Sequence, residues 1–248
     1  MKQTRLIMGM PITIEIADVH GTIADYEMVF AYFDYVDNKF STYKIDSEIS
    51  QINRKELVQD VWSADMKEVF VLSEQTKNET KGFFNIQRAD GVYDPSGLVK
   101  GWAIENAAQL LRNKGIKNFY IEAGGDIAAC GKNTEGNAWR VGIRNPFSQT
   151  EIIKVVSLTD KGIATSGNYI RGDHIYNPHD PTKVISGIVS CTVIGSSVYE
   201  ADRFATAAFA MGKEGLAFIA GLPNIEAYVV DVHGTAMYTE GFSRYSIQ

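Results

Sequence analysis

Segments with helical periodicity and segments with strand-like alternation follow one another in runs along this chain. A long helical pattern lies between residues 22 and 40, two further helical patterns follow, and strand-like segments dominate after residue 118. A regular strand–helix–strand alternation is typical of a parallel sheet, and the order of these segments does not show one. We therefore predict an α+β fold with a largely antiparallel sheet and packed helices.

The spacing of the apolar residues predicts the individual elements. Spacings of three and four predict helices, whereas alternation of apolar and polar residues predicts half-buried strands. The predicted helices are 22–40, 64–77, 100–114, 199–211 and 213–220. The predicted strands are 11–17, 118–123, 126–130, 138–143, 152–158, 186–194 and 225–231. Because no repeat or linker-like tract divides the sequence, we expect residues 1–248 to form one domain.

The balance of charge limits the partners of this protein. The chain has 24 Lys and Arg against 30 Asp and Glu, which gives a formal net charge of −6. Sequence-independent binding to nucleic acid needs a basic face, so DNA and RNA are not expected partners. An anionic ligand would need a local source of positive charge, such as a cation or a helix N-terminus.

The N-terminal residues and the two cysteines bear on the cellular compartment. The sequence moves directly into a strand-like alternation, without an apolar signal segment, and it has no apolar run long enough to span a membrane. We expect a cytoplasmic protein with no membrane anchor in this chain.

Cys130 and Cys191 form no CxxC motif, which fits a reduced protein with two buried or unreactive thiols. A disulfide between them is left open.

Several common catalytic motifs are missing from the sequence. It contains no GxGxxG after a strand, no GxxxxGK[ST], no HExxH and no GxSxG. Interpretations as a Rossmann protein, a P-loop protein, a zincin or a serine hydrolase therefore lack support. The dispersal of the four histidines also disfavours a zinc cluster.

The segment 94–101, DPSGLVKG, predicts a turn that leads into the third long helix. Pro95 fixes φ, and Gly97 allows a backbone conformation that larger residues disfavour. We expect Lys100 at the start of the helix, where the macrodipole opposes its charge, so a nearby anion would stabilise it. The alternative is an ordinary turn followed by a solvated lysine.

The segment 200–212, EADRFATAAFAMG, places Asp202 and Thr206 four residues apart. On a helix these residues share one face, with Cβ atoms about 5–6 Å apart. A carboxylate and a hydroxyl are hard oxygen donors that suit Mg²⁺. The alternative for Asp202 is a simple charge near a helix N-terminus.

Two further segments are rich in residues that loops use for binding. The segment 165–184 is polar and contains His174, which could act as a general base, contact a phosphate or be structural. In the segment 40–53, Tyr43 lies in a loop before a short helix whose capped start is predicted at 46–48. An aromatic side chain there could stack on a planar ligand or pack on the protein surface.

Taken in order, these segments resemble the ApbE family, the FAD:protein FMN transferases. The resemblance covers nearly the whole chain and rests on the strings MGMPITIEI, FSTYKIDSEISQIN, GFFNI, DPSGLVKGWAIE, EAGGDI, ATSGNYIR, HIYNP and EADRFATAAFAMG. It implies a domain that binds FAD as substrate and uses Mg²⁺ to cleave the FAD pyrophosphate. FMN would pass to a Thr or Ser hydroxyl of an acceptor protein as a phosphoester, and AMP would be released.

The same resemblance assigns roles to single residues. The implied FAD contacts are Met8, Tyr43, Asp94, Lys100, His174 and Ile175, with the Tyr43 ring stacked on the isoalloxazine. The implied metal ligands are the main-chain carbonyl of Gly97 and the side chains of Asp202 and Thr206. The acceptor hydroxyl needs a base, for which His174 is the first candidate and Asp202 the second.

The chain also departs from the family pattern. Asn85 stands where the family has an aspartate, and the segment that follows is shorter than usual. Asn177 replaces the aspartate of the HIxDP pattern, and Gly97 occupies a position that is often alanine. Two alternatives therefore stay open beside the transferase: an FAD pyrophosphatase that yields FMN and AMP, and a non-catalytic flavin-binding protein.

Overall fold

The structure is a computed structural model that describes residues 1–168, 175–180, 182 and 184–247. The strands in this part of the chain are β1 (Lys2–Ile7), β2 (Met10–Ile16), β3 (Phe119–Ala123), β4 (Asp126–Cys130), β5 (Trp139–Asn145), β6 (Ser148–Leu158), β7 (Lys161–Gly167), β8 (Ile188–Gly195), β9 (Glu226–Asp231) and β10 (Ala236–Tyr238). The α-helices are α1 (Ile23–Phe40), α2 (Glu48–Asn53), α3 (Ala64–Glu79), α4 (Ser96–Asn113), α5 (Val198–Ala210) and α6 (Gly215–Ala220). Short 3-10 turns cover Gln59–Val61, Gly212–Glu214 and Glu240–Tyr245.

One sheet of eight strands organises the fold. Its order is β1-β2-β3-β4-β7-β8-β9-β10, and every neighbouring pair is antiparallel. The strands β5 and β6 form a separate hairpin, which lies in the segment of chain that connects β4 to β7. The helices α1 to α4 connect β2 to β3, and α5 and α6 connect β8 to β9. The predicted α+β class with a largely antiparallel sheet is confirmed.

The helices cover one face of the sheet, and the β5–β6 hairpin covers the other. In β4, Ala128 and Cys130 face the helical core, whereas Ile127 and Ala129 face the hairpin. Successive side chains of a strand point to opposite faces, so a strand between two apolar layers is buried along its whole length. This explains why all five residues of β4 are buried.

Side-chain caps fix where several helices begin. The Ser63 hydroxyl accepts the Met66 N–H at 3.3 Å at the start of α3, and the Ser197 hydroxyl accepts the Glu200 N–H at 3.2 Å at the start of α5. Such caps satisfy backbone donors that have no partner inside the helix. None of the helices in the described ranges is long and apolar enough to cross a membrane.

The structure corrects several predicted boundaries. The helix α4 begins at Ser96 rather than at Lys100, because the Pro95 carbonyl already accepts the N–H groups of Leu98 and Val99. The segment predicted as one helix over 213–220 divides into a 3-10 turn and the shorter α6. The strands β1, β7 and β10 were not predicted. The outer strands β1 and β10 are largely exposed, and β7 consists mainly of small residues, so none of them has a clear apolar alternation.

The two cysteines are both buried and both free. Cys130 lies in β4 and Cys191 in β8, and β7 separates these two strands. Two interstrand spacings put the two backbones roughly 10 Å apart, whereas a disulfide needs Cα atoms within about 7 Å. The disulfide that the sequence left open is therefore not formed.

Candidate functional site

A cavity of about 390 Å³ lies beside the first turns of α4, against α5 and the ends of β3 and β7. Its size is within the range of small-molecule sites, roughly 300–1,000 Å³. The described residues that line it are Tyr43, Phe83, Phe84, Asn85, Arg88, Asp94, Ser96, Gly97, Lys100, Gly124, Thr165, Ser166, Gly167, Ile175, Tyr176, Pro178, Asp202 and Thr206. The cavity therefore gathers residues that are far apart in the sequence.

All predicted site residues in the described part of the chain line this cavity except Met8. Met8 lies in the tight turn between β1 and β2, with a positive φ of 56°, and its partly buried side chain packs against the helical core. His174 lies outside the described residues. The FAD contacts expected of these two residues stay predictions.

The DPSG turn holds its residues at the first turn of α4. The Asp94 carboxylate accepts the Ser96 N–H at 3.1 Å, and the Asp94 N–H donates to the Ile86 carbonyl at 2.7 Å. Gly97 is therefore the second residue of α4, and Lys100 lies about one turn from its start. The predicted position of Lys100 at the helix start is wrong, because the helix begins four residues earlier.

The anion expected near Lys100 is present in the form of two buried carboxylates. The Lys100 Nζ atom lies 2.6 Å from Asp126 Oδ2 and 3.6 Å from Asp202 Oδ1. The exposed fractions of the side chains are 16% for Lys100, 1% for Asp126 and 3% for Asp202. Buried charges persist only when they are paired and hydrogen-bonded. The alternative of an ordinary solvated lysine is therefore wrong.

The helix α5 presents Asp202 and Thr206 to α4. Asp202 Oδ2 accepts the Gly101 N–H at 2.8 Å. Thr206 Oγ1 lies 3.4 Å from the Gly97 carbonyl oxygen and 3.4 Å from Ser166 Oγ. The shared face that the four-residue spacing predicts is confirmed, and Asp202 is not a simple charge near a helix N-terminus.

Burial raises the pKa of the Asp202 carboxyl to about 7. The Lys100 ammonium and the Gly101 N–H lower this pKa, whereas the Asp126 carboxylate raises it. Asp202 therefore binds a proton more readily than an exposed aspartate. Further positive charge beside Asp202 would favour its ionised form.

The oxygen atoms between α4 and α5 fit a hard divalent cation. Asp202 supplies a carboxylate, Thr206 a hydroxyl and Gly97 a carbonyl. Adjacent octahedral ligands at about 2.1 Å from Mg²⁺ are about 3 Å apart, and Thr206 Oγ1 lies 3.4 Å from the Gly97 oxygen. Across the described ranges, no group of three or more His, Cys, Asp or Glu side chains could hold a metal ion. A cation here would therefore complete its shell with water or ligand oxygens, as Mg²⁺ commonly does.

Tyr43 and part of the segment 175–180 (Ile175, Tyr176 and Pro178) also line the cavity. The Tyr43 residue is 98% exposed, so its ring makes almost no contact with the rest of the described chain. His179 Nε2 lies 2.9 Å from the Lys81 carbonyl oxygen, and the His179 ring meets Phe83 edge-on at 4.6 Å. His179 therefore anchors this segment, which explains its presence without a catalytic role.

Sequence reasoning missed Asp126 as a site residue. Asp126 begins β4 directly after the Gly124–Gly125 turn, in which both glycines have a positive φ, as tight hairpin turns require. Its Oδ1 atom accepts the Thr165 N–H at 3.0 Å. The available signal was the string EAGGD, which predicts a turn but does not show that the aspartate points at Lys100.

The chain matches the model of the ApbE family over residues 8–93 and 88–229. The FAD:protein FMN transferase of Vibrio cholerae serotype O1 is 32% identical over 162 residues, which are 62% of this chain and 47% of that protein. The FAD:protein FMN transferase of Escherichia coli K12 is 28% identical over 155 residues, 59% of this chain and 44% of that protein. The chain therefore spans about half the length of the curated relatives it matches.

Two solved structures share the fold along the whole chain. The ApbE protein of Thermotoga maritima gives a TM-score of 0.88 at 19% identity and covers 100% of this chain and 99% of its own. The flavin transferase ApbE of Vibrio cholerae gives a TM-score of 0.84 at 22% identity, with coverage of 99% and 98%. At these identities the likeness shows the fold.

Proposed function

This chain belongs to the ApbE family, and from that premise we propose that it is an FAD:protein FMN transferase. The proposed reaction moves FMN from FAD to a Thr or Ser hydroxyl of an acceptor protein and releases AMP. In this proposal residues 1–248 act as one catalytic domain, and Mg²⁺ is required. The two relatives described above are FAD:protein FMN transferases, which supports this reaction class.

The observation that carries the proposal is that three oxygen donors and one ammonium group line the same cavity. The Gly97 carbonyl oxygen and Thr206 Oγ1 lie 3.4 Å apart, the Asp202 carboxylate lines the same cavity, and Lys100 Nζ lies 3.6 Å from Asp202 Oδ1. A pyrophosphate brings negative charge into a chain whose net charge is −6. Because Lys100 is already paired with Asp126 and Asp202, the local positive charge that such a ligand needs would come from a divalent cation bound to the three oxygens.

The reaction forms one phosphoester bond and breaks one phosphoanhydride bond. The acceptor oxygen attacks the phosphorus of the FMN half, and AMP leaves with the bridging oxygen. The proton of the acceptor hydroxyl passes to a base. Mg²⁺, when bound, would neutralise negative charge on the pyrophosphate and on the leaving AMP.

The residues of this chain have separate tasks in the proposal. Asp202, Thr206 and the Gly97 carbonyl would hold the cation, and Lys100, which lines the cavity, would contact the FAD as a hydrogen-bond donor. The exposed ring of Tyr43 stacks on the isoalloxazine, which suits a flat aromatic ligand at the cavity edge.

The remaining predicted residues complete the site. Asp94 and Ile175 line the cavity and are proposed FAD contacts, as is Met8 in the β1–β2 turn. His174, outside the described residues, is a proposed FAD contact and the proposed base, with Asp202 as the second candidate. The cytoplasmic location expected from the sequence stays a prediction.

A transfer assay tests the proposal directly. The purified chain is incubated with FAD, Mg²⁺ and an acceptor protein that carries a candidate Thr or Ser site, and a denaturing gel is inspected for covalent flavin fluorescence. We expect a fluorescent acceptor band that disappears with EDTA. No band with any acceptor tested, from a chain that binds FAD and Mg²⁺, would contradict the transferase.

Product analysis without acceptor separates the two alternatives. Release of FMN and AMP at a catalytic rate would identify a pyrophosphatase, because water then replaces the acceptor hydroxyl. FAD that stays bound and intact with Mg²⁺ and acceptor present would identify a flavin-binding protein. The transferase predicts intact FAD without acceptor and AMP release with it.

A further inference from the structure

Asp126 is buried next to Lys100 but does not border the cavity. Lys100 and Asp202 are among the lining residues described above, whereas Asp126 is not, and it is 1% exposed. The Thr165 N–H holds Asp126 Oδ1 at 3.0 Å, so the backbone of β7 fixes the position of this carboxylate. A ligand in the cavity would therefore meet Lys100, and Asp126 would act through Lys100.

The second oxygen of Asp126 has Lys100 as its contact. Apart from the ion pair with Lys100 Nζ at 2.6 Å, Asp126 Oδ2 accepts no hydrogen bond from the described residues. The Asp126 carboxylate also raises the pKa of the neighbouring Asp202 carboxyl. Lys100 is the cation that offsets the charge of both buried carboxylates. The position of Asp126 suggests that the contact with Lys100 is what Asp126 provides.

Lys100 is also a competitor for the oxygen that a cation would use. The Gly101 N–H occupies Asp202 Oδ2 at 2.8 Å, which leaves Asp202 Oδ1 for a cation. Lys100 Nζ is 3.6 Å from that oxygen, longer than the 2.7–2.9 Å or so of a charged N–H···O bond. The shorter contact, at 2.6 Å, is with Asp126. The Lys100 ammonium therefore lies nearer to Asp126 than to Asp202 Oδ1.

We propose that Asp126 is a positioning residue that restrains Lys100, so that Asp202 Oδ1 stays available to a divalent cation. This inference rests on the proposed function, because it concerns the metal site of that reaction. Without the Asp126 charge, Lys100 would move to Asp202 and form a full ion pair with it. Metal binding would then have to displace the lysine, and the affinity for the metal would fall.

Direct titration of the full chain with Mn²⁺ alone tests this role without reference to turnover. Electron paramagnetic resonance measures the free ion for the wild type and for Asp126→Asn, which keeps the shape of the side chain. We expect the Mn²⁺ Kd of Asp126→Asn to rise roughly tenfold to a hundredfold, as for other residues that orient metal ligands. The control is Glu79→Gln, which breaks the ion pair with Arg203, the neighbour of Asp202 on α5, and should leave the Mn²⁺ Kd unchanged.

The same Asp126→Asn substitution, made in a Lys100→Gln variant, distinguishes a positioning role of Asp126 from direct binding to the metal. In Lys100→Gln the competing ammonium is gone, so adding Asp126→Asn should weaken Mn²⁺ binding far less than it does in the wild type. An equal loss in both backgrounds would identify Asp126 as a metal ligand and overturn the positioning role. In the transfer assay, excess Mg²⁺ should restore the kcat of Asp126→Asn, which structural damage would not allow.

Two further outcomes would also overturn the proposal. An unchanged Mn²⁺ Kd in Asp126→Asn would show that Lys100 does not compete for Asp202. A wild-type chain without Mn²⁺ binding would remove the metal site itself. By contrast, a wild-type chain that binds Mn²⁺ and responds to Asp126→Asn but transfers no flavin would contradict only the proposed function.

Discussion

The backbone N–H of Gly101 donates a 2.8 Å hydrogen bond to the carboxylate of Asp202, from one helix to the next. A Cβ atom at position 101 would lie 2.7 Å from Asp202 Cβ and 2.9 Å from the Val198 carbonyl oxygen. Only glycine allows α4 and α5 to approach so closely. A main-chain group of α4 therefore sets the orientation of the carboxylate proposed to bind the metal.

Gly101→Ala should push α4 and α5 apart. Overpacking of this kind lowers the free energy of unfolding by about 1–3 kcal/mol, and we expect the Mn²⁺ affinity to fall as the Asp202 carboxylate loses its fixed orientation. Chemical denaturation and Mn²⁺ titration measure the two effects. Gly221→Ala is the control, since a Cβ there would make only an ordinary contact, 3.4 Å from the Phe218 carbonyl oxygen. Equal effects in the two variants would contradict the close approach as the cause.

Asp202→Asn should remove the metal-dependent reaction. Asparagine keeps an oxygen for the Gly101 N–H but removes the charge that a divalent cation needs, so we expect AMP release to fall about a hundredfold or more. The rate is measured at saturating FAD. Asp18→Asn is the matched control, because Asp18 also accepts backbone N–H groups, from Lys117 and Asn118, without lining the cavity. Full activity of Asp202→Asn would contradict the metal assignment.

The sequence predicted which residues share a helix face but not which elements meet. The spacing of Asp202 and Thr206 placed both on one side of α5, and the DPSG turn placed Gly97 near the start of α4. The contact of Asp202 with Gly101 joins residues about a hundred positions apart, and local periodicity carries no information about it. The pairing of Lys100 with Asp126 depends likewise on tertiary packing.

The missed strand β7 shows a second limit of the sequence. Its residues KGIATSG are small or polar, yet β4 and β8 pair with it on both sides and bury most of it. Gly162 lies where the start of α5 packs, so a larger side chain there would collide with the helix backbone. Packing against neighbours therefore made a strand from a segment that has no clear strand pattern.

Tyr43→Ala should weaken FAD binding without affecting the fold. The ring is 98% exposed, so its loss should change the free energy of unfolding by less than about 0.5 kcal/mol. Loss of aromatic stacking should raise the FAD Kd roughly twofold to tenfold, equivalent to about 0.5–1.5 kcal/mol. Flavin fluorescence titration measures this Kd. Tyr43→Phe should bind like the wild type, and Ile45→Ala, an exposed neighbour outside the cavity lining, should have no effect.

The two thiols should be unreactive in the folded protein. Burial raises the pKa of Cys130 to about 11 and that of Cys191 to about 12. Because the thiolate is the reactive form, Ellman's reagent at pH 8 should detect no thiol in the native chain and both thiols after unfolding in guanidinium. Rapid labelling of the native chain would contradict the burial of these side chains.

The same shifts predict how the cysteines affect stability at alkaline pH. The folded-state pKa lies above the unfolded value of about 8.5, so the contribution of each thiol is present below that pH and is lost as the pH rises through about 11 to 12. The free energy of unfolding should therefore fall less steeply above pH 9 in a Cys130→Ala, Cys191→Ala variant than in the wild type. Equal slopes of the free energy of unfolding against pH in the two proteins would contradict the raised pKa values of the two thiols.

His174→Ala should slow transfer far more than it weakens FAD binding. The acceptor hydroxyl has a high pKa, so loss of the base that removes its proton should lower the transfer rate by roughly a hundredfold to ten-thousandfold. Flavin fluorescence gives the FAD Kd, and the covalent flavin band gives the rate at saturating FAD. His233→Ala removes an exposed histidine outside the cavity lining and should leave both values unchanged. Equal losses in Kd and rate would make His174 a binding residue and leave Asp202 as the base.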